Sequence, residues 1–154
     1  MNFMYFYDFP IGKVGIAESD GAISHVFFDD TSNKPKDAEV KETALIKRAA
    51  GQIFEYFEGK RAEFDLPLTY TGTEFQVAAW EALRAIPYGE LRSYKEQAVA
   101  IGNPKACRAV GMANNRNPIS IIIPCHRVVG SSGKLVGYGG GLGIKEYLLE
   151  LESR

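Results

Sequence analysis

The stretch SYKEQAVAIGNPKACRAVGMANN, residues 93–115, has the pattern of two short helices joined by a tight turn. Its first four residues, Ser-Tyr-Lys-Glu, form a capping box, which opens a helix that Gly102 closes. The Asn-Pro pair that follows supplies an N-cap and a first-turn proline for a second helix over residues 104–114. This spacing predicts a helix-turn-helix.

The second predicted helix combines small side chains with basic ones. Lys105 and Arg108 supply positive charge, and a thin basic helix in this motif is the part that enters a DNA groove. Small residues are equally typical of tight packing between two helices, so both interpretations remain open from this segment alone. The small residues are Ala106, Ala109, Gly111 and Ala113.

The chain on the N-terminal side of this stretch has the alternation of a small antiparallel sheet. The segments FMYFYDF, GKVGIAES and AISHVFFDD alternate in strand fashion, and residues 19–21, Ser-Asp-Gly, form a hairpin turn signal. A helix over residues 40–58 and a short strand over residues 62–68 are predicted to follow. We therefore predict an α/β protein, with a sheet-and-helix domain over residues 1–71 and a mostly helical domain over residues 72–154.

Composition places the chain among ordinary globular proteins, with 45% hydrophobic and 24% charged residues. The N-terminus lacks the pattern of a secretory signal, and no apolar run is long enough to span a membrane, so we expect a cytoplasmic protein. Residues 1–71 carry 8 Lys and Arg against 12 Asp and Glu, whereas residues 72–154 carry 10 against 7. The positive C-terminal part would attract phosphates, although a solvated basic face is the plainer interpretation.

The two cysteines, Cys107 and Cys125, have no C-x-x-C spacing, and the chain has only two histidines. Two cysteines and two histidines are few ligands for a metal site, and two cysteines do not make a disulfide framework. We expect free thiols and no metal.

The run IIIPCHRVVG, residues 121–130, places a cysteine between a proline and a histidine at the end of an apolar segment. The segment predicts a buried strand that Pro124 breaks, so that the Cys125 thiol and the His126 imidazole can converge on one pocket, directly or through a water. A neighbouring imidazolium would lower the thiol pKa from about 8.5 and make thiolate available. The alternative is a packing cysteine beside a surface histidine.

An imidazole that acts as a base needs an acceptor for its other nitrogen. The last predicted helix offers three carboxylates, Glu146, Glu150 and Glu152, and the pattern does not choose between them.

The glycine-rich segment LVGYGGGLG, residues 135–143, permits close backbone approach to a ligand around Tyr138, but it also fits a plain flexible loop. It lacks the G-x-G-x-x-G spacing, and the chain has no G-K-[ST] phosphate loop. We therefore expect no nucleotide cofactor.

Three runs, NPKACRAVG, NRNPISIIIPCHRVVGSSGKLVGYGGGL and IKEYLLELE, together closely resemble the 6-O-alkylguanine-DNA alkyltransferases, or methylated-DNA–protein-cysteine methyltransferases. The resemblance covers residues 72–154 and is most specific at PCHRV. It implies a winged-helix-like DNA-binding domain that contains the helix-turn-helix. The residues before it are compatible with the family's ribonuclease H-like N-terminal domain.

The resemblance implies a catalytic set of four residues. Cys125 matches the cysteine that accepts the alkyl group, and His126 matches its base, which acts through a water. Glu152 matches the carboxylate that orients the histidine. Tyr94 matches the tyrosine that presses on a phosphate and donates a proton to the leaving guanine.

The resemblance also implies residues that contact DNA or the base. Arg108 matches the arginine that enters the stack when the nucleotide is flipped out, Asn117 supports the site, and the Val128 carbonyl meets the guanine amino group. Gly139 is a departure, because many members have a serine there. The full expected set is Arg108, Asn117, Val128, Tyr138, Gly139, Gly140, Arg127 and Lys105.

The function that the resemblance implies is DNA repair. The protein would transfer a methyl or larger alkyl group from 6-O-alkylguanine, and less well from 4-O-alkylthymine, to Cys125 in one irreversible turnover. It would act as a monomer on double-stranded DNA, without a cofactor or membrane partner. One alternative is a non-catalytic lesion binder of the same fold, but such relatives have tryptophan at the position of Cys125. A cysteine hydrolase would leave the basic helix-turn-helix unexplained.

Overall fold

The computed structural model describes residues 1–28, 34–131, 133–135, 138 and 141–154. These residues form two compact units. The first unit comprises Met1–Tyr70 together with Pro118–Ser120, and the second comprises Thr71–Asn117 with Ile121–Arg154. The first carries a sheet and the second is mostly helical, so the predicted α/β architecture is confirmed.

The first unit contains a four-stranded sheet in the order β3-β2-β1-β4. The first three strands are antiparallel, as predicted, but the two-residue β4 pairs in parallel with β1 at Phe3 and Met4. Asp20 and Gly21 have φ angles of 50° and 83°, which make the tight turn between β2 and β3. The strands are β1 (Asn2–Phe9), β2 (Gly12–Ser19), β3 (Ala22–Phe28) and β4 (Glu39–Val40).

The sheet packs tightly around the middle of β2. Val14 and Ile16 are fully buried, and a Cβ atom on the intervening Gly15 would overlap the ring of Phe27 on β3. Only glycine therefore lets the Phe27 ring lie against the β2 backbone.

Helix α1 (Ala44–Phe57) covers this unit and begins later than the sequence predicts. Residues 39–40 are drawn into β4, and Thr43 caps the helix by accepting a hydrogen bond from the Ile46 amide at 3.1 Å. The predicted strand over residues 62–68 is wrong. Within the described part of this segment, strand pairing is limited to a parallel bridge between Leu68 and Ile23.

The segment Pro118–Ser120 lies against the free edge of β3. The Val26 amide donates to the Pro118 carbonyl, and the Ser120 amide donates to the Val26 carbonyl, each at 3.0 Å. Ile119 between them is fully buried. This short segment therefore belongs to the sheet, although its sequence neighbours belong to the second unit.

The second unit contains four helices and a two-stranded parallel sheet among its described residues. The predicted capping box at Ser93 with Glu96 is confirmed, and a second capping box joins Thr73 and Gln76. Its elements are α2 (Glu74–Arg84), β5 (Arg92–Ser93), α3 (Tyr94–Ala100), α4 (Cys107–Asn115), β6 (Val128–Val129) and α5 (Leu142–Glu152).

Helix α4 begins three residues later than the sequence predicts. The Ala106 amide donates to the Asn103 carbonyl at 3.0 Å, so Pro104 lies in a turn rather than in the first turn of the helix. Ala106 then occupies the N-cap position without a side-chain hydrogen bond. The predicted pair of short helices is present, separated by residues 101–106.

The apolar run before Cys125 is not the buried strand that the sequence predicts. Ile119 makes an isolated bridge, and Ile121 adopts a left-handed φ of 73°, which turns the chain away from an extended path. Ile121 and Ile123 are buried all the same. Burial, rather than strand pairing, explains the run of isoleucines.

Among the described residues, no helix combines the length and apolar character that crossing a bilayer would require. The longest of them, α1, has 14 residues.

Candidate active site

The chain around Cys125 forms a short 3-10 helix, Cys125–Arg127, that starts directly after Pro124. The Asn117 side chain donates from Nδ2 to the Ile123 carbonyl at 2.7 Å, which holds the backbone just before the cysteine. Both Asn117 and Cys125 are buried. The 3-10 turn therefore directs the thiol into the interior of the second unit.

The electrostatic environment of Cys125 favours the neutral thiol. Burial raises the pKa of Cys125, while the neighbouring Asn117 and Tyr138 side chains and the positive charge of Lys145 oppose that shift only in part. The prediction of a ready thiolate beside an imidazolium is therefore wrong, because the opposing interactions of the described residues do not overcome the cost of burying the anion.

His126 is fully buried, and burial lowers its pKa, although the Glu152 carboxylate opposes that shift. The imidazole is therefore neutral near pH 7. Its Nε2 lies 2.6 Å from Oε2 of Glu152, so the single ring proton points to the carboxylate. The Nδ1 atom is buried and has no hydrogen-bond partner among the described residues. It remains available to accept a proton.

Glu152 is the carboxylate that contacts His126, which resolves the choice left open among three residues of α5. Glu146 is exposed, and Glu150 is an exposed partner of Arg154. Glu152 is 5% exposed, and besides the imidazole it also accepts from the Gly89 amide at 3.4 Å.

Arg127 does not occupy the DNA-contacting position that the sequence predicts. It is buried and donates to Glu152 from Nε at 2.7 Å and from Nη2 at 3.1 Å. A third donor, Nη1, binds the Ile86 carbonyl at 2.6 Å, and the guanidinium lies 5.7 Å from the centre of the Tyr88 ring. Its charge neutralises the buried carboxylate, which explains its position inside the protein.

Lys145 is a residue of the site that the sequence analysis missed. It is fully buried, and its Nζ atom donates to the Val128 carbonyl at 2.6 Å and lies 5.9 Å from the centre of the Tyr94 ring. Burial lowers the pKa of Lys145, and Cys125 opposes that shift. The available signal was its spacing, because Lys145, Leu148 and Glu152 share one face of α5.

Tyr94 and Val128 lie together with Lys145 beside the cysteine. Burial raises the pKa of Tyr94, and Cys125 acts in the same direction, so the phenol keeps its proton. The Val128 carbonyl already accepts one hydrogen bond, from Lys145, and a carbonyl oxygen has a second lone pair for another donor.

The remaining predicted site residues fall into three groups. Lys105, in the turn before α4, and Arg108, on α4, are both exposed. The Tyr138 side chain lies close enough to Cys125 to lower the pKa of the thiol. Gly139 and Gly140 lie outside the described residues.

The neutral state of His126 predicts that acid destabilises the protein. In the unfolded chain the imidazole takes up a proton near pH 6.5, whereas the folded protein resists it, so the free energy of unfolding should fall as pH drops from 7.5 to 5.5, by at most about 1.4 kcal/mol per pH unit. His25 shifts in the same direction. Urea denaturation of a His25→Gln variant isolates His126, and a free energy of unfolding that stays constant over this range would contradict the prediction.

Comparison with known proteins identifies the family to which the chain belongs. The family model described as "6-O-methylguanine DNA methyltransferase, DNA binding domain" matches residues 74–154. The model described as "6-O-methylguanine DNA methyltransferase, ribonuclease-like domain" matches residues 3–70. The chain therefore belongs to the methylated-DNA–protein-cysteine methyltransferase family.

Individual relatives agree with this assignment over nearly the full chain. A methylated-DNA–protein-cysteine methyltransferase of Methanosarcina barkeri is 52% identical over 146 residues, which are 93% of this chain and 92% of the relative. The constitutive enzyme of Bacillus subtilis is 44% identical, covering 99% and 96%. The crystal structure of Mycobacterium tuberculosis OGT in complex with DNA aligns with a TM-score of 0.93 at 44% identity, covering 98% and 92%.

Proposed function

We propose that the protein repairs alkylated DNA by transferring the methyl group of 6-O-methylguanine to Sγ of its own Cys125. The observation that carries this proposal is the buried Cys125 beside a neutral His126 whose Nε2 is bound to Glu152 and whose Nδ1 is free to accept a proton. Larger alkyl groups on guanine, and to a lesser extent 4-O-alkylthymine, belong to the same proposed substrate class.

The chemistry is an exchange of a methyl group for a proton. Sγ attacks the methyl carbon, the bond between that carbon and the guanine oxygen breaks, and its electron pair stays on the guanine. The thiol proton passes to Nδ1 of His126, directly or through a water, while Tyr94 donates a proton to the departing base. Because burial raises the pKa of Tyr94, its phenol carries the proton that this step requires.

The role of DNA-binding residues follows from the depth of the cysteine. Cys125 is 7% exposed, so a guanine that stays stacked in a duplex cannot reach it and must be flipped out, at a cost of a few kcal/mol. We assign the approach to the duplex to the helix-turn-helix of α3 and α4, with the exposed Arg108 filling the gap and Lys105 near the phosphates. The DNA complex of the Mycobacterium tuberculosis relative supports DNA as the partner.

The proposed reaction happens once per molecule. The product at Cys125 is a thioether, whose carbon–sulfur bond is stable to water at neutral pH. The protein would then act as a monomer that is consumed stoichiometrically, without a cofactor.

The proposal is tested by incubating the protein with an excess of a duplex that carries one 6-O-methylguanine. Mass spectrometry should find one added methyl group, on the peptide that contains Cys125, and an equal amount of guanine restored in the DNA. Unmodified peptide beside unaltered DNA would refute transfer. Product in several-fold excess over protein would refute the single turnover while leaving the transfer intact.

A further inference from the structure

Helix α4 presents a continuous exposed stripe, which we call the outer stripe. Its members recur at helical spacing, and they are Arg108, Ala109, Met112, Asn115 and Arg116, the last of which caps the helix. The large apolar side chain of Met112 thus lies between Arg108 and Arg116. Met112 is 65% exposed, although an unbranched thioether of its size gains by burial.

The inner face of α4 is held firmly, so the outer stripe points outward in a defined direction. Asn114 and Gln97 of α3 exchange two hydrogen bonds between their buried amides, at 2.8 and 2.9 Å. The Trp80 indole of α2 donates to the Ala113 carbonyl at 2.9 Å. The exposure of Met112 is therefore a consequence of how α4 is anchored.

We propose that Met112 is a second insertion residue, which packs against the sugar and base edges next to the flipped nucleotide. This inference rests on the proposed function and deepens it by naming a residue that sets the dependence on DNA context. The two arginines of the outer stripe match the charge of a duplex, and proteins that bend DNA use apolar side chains, Met included, as wedges at base steps.

The spacing on the helix agrees with this role. Four residues rise about 6 Å along a helix axis, and successive bases along a strand are about 3.4 Å apart. Met112 therefore reaches a neighbouring step rather than the gap that Arg108 fills. An apolar contact there stabilises the unstacked neighbour and replaces stacking that the flipped base no longer provides.

This role predicts a dependence on flanking sequence. Pyrimidine–purine steps such as TA unstack easily, whereas A-tracts are stiff. Loss of Met112 should therefore slow transfer most at a lesion in a stiff context, less at a lesion beside TA steps, and not at all in a single strand.

The test is the rate of methyl transfer to Cys125 in a single-turnover experiment with these three substrates. We expect Met112→Ala to be slower by about tenfold in the stiff duplex and unchanged in the single strand. Met112→Leu should retain the rate, and Met112→Gln, which keeps the length but not the apolar character, should resemble Met112→Ala. Val40→Ala, at an apolar position with 60% exposure in the other unit, is the matched control and should have no effect.

Equal rates for Met112→Ala and the unaltered protein in the stiff duplex would overturn the inference. A loss of the same size in the single strand would also overturn it, because the change would then act on the reaction centre. A fluorescent 2-aminopurine beside the lesion, read with Cys125→Ser protein, reports unstacking without transfer. The Met112→Ala change should reduce that signal even if the proposed reaction fails.

Discussion

A Cys125→Ser variant is expected to bind a duplex containing 6-O-methylguanine as tightly as the unaltered protein, yet to lose methyl transfer by a factor on the order of 10³ or more, the range found when a nucleophile is removed. Such a loss corresponds to about 4 kcal/mol or more of activation free energy. It would be the largest effect of any single substitution in the site.

The physical reason is that the serine oxygen and the cysteine sulfur differ strongly in nucleophilicity, whereas the two side chains differ little in shape. A serine hydroxyl is a far weaker nucleophile than a thiol at neutral pH, and the neutral His126 is too weak a base to compensate. Recognition, by contrast, depends on exposed residues such as Arg108. Binding is measured by fluorescence anisotropy, and transfer by the mass of the peptide that carries residue 125.

The matched control is Cys107→Ser. Cys107 is the other free cysteine, it is partly exposed at the start of α4, and its Sγ lies 4.0 Å from the Pro104 carbonyl. This variant should keep full transfer. Methyl transfer by Cys125→Ser, or methyl found on Cys107 in the unaltered protein, would show that the acceptor has been misassigned.

The second large effect is expected from Glu152→Ala, which should lower the free energy of unfolding by about 3–5 kcal/mol. The substitution removes the partner of the buried Arg127 guanidinium and the acceptor of the His126 ring proton. Two of the three guanidinium contacts to buried acceptors disappear, and the charge stays in the interior. Urea denaturation at pH 7.5 measures the loss.

The same helix offers a matched control in Glu150→Ala. The Glu150 side chain is 70% exposed, and its ion pair with Arg154 spans 3.8 Å, so its removal should change stability by less than about 0.5 kcal/mol. A second variant, Glu152→Ala with Arg127→Met, removes both charges and should recover part of the stability but none of the transfer. If the Glu152→Ala and Glu150→Ala variants had the same free energy of unfolding, the buried contact between Glu152 and Arg127 would not contribute to stability.

Local features of the sequence were sufficient for much of the secondary structure. The Ser-Asp-Gly turn between β2 and β3 and the capping boxes of α2 and α3 were predictable because each involves residues only a few positions apart. The motif PCHRV was enough to predict the cysteine acceptor and its histidine by resemblance. In all these cases the interacting groups are neighbours in the chain.

Other features depend on groups far apart in the chain. Residues 118–120 join β3, and that attachment together with the left-handed Ile121 converts a predicted strand into a turn. The resemblance predicts that Arg127 contacts DNA. Its partner in the structure, Glu152, lies 25 positions away in the chain, so no nearby residue indicates the buried contact. No local pattern distinguishes a buried arginine from an exposed one.

The sequence by itself determined the α/β class, the hairpin, the start of α3 at its capping box and the cysteine that is proposed as the alkyl acceptor. The tertiary structure decided the protonation states of the site, because burial keeps Cys125 a thiol and His126 neutral, against the pattern expected from adjacent residues. It also placed Lys145 beside Tyr94 and left Met112 exposed. Burial and pairing are properties of the packed chain, so they could not be predicted from neighbours in the sequence.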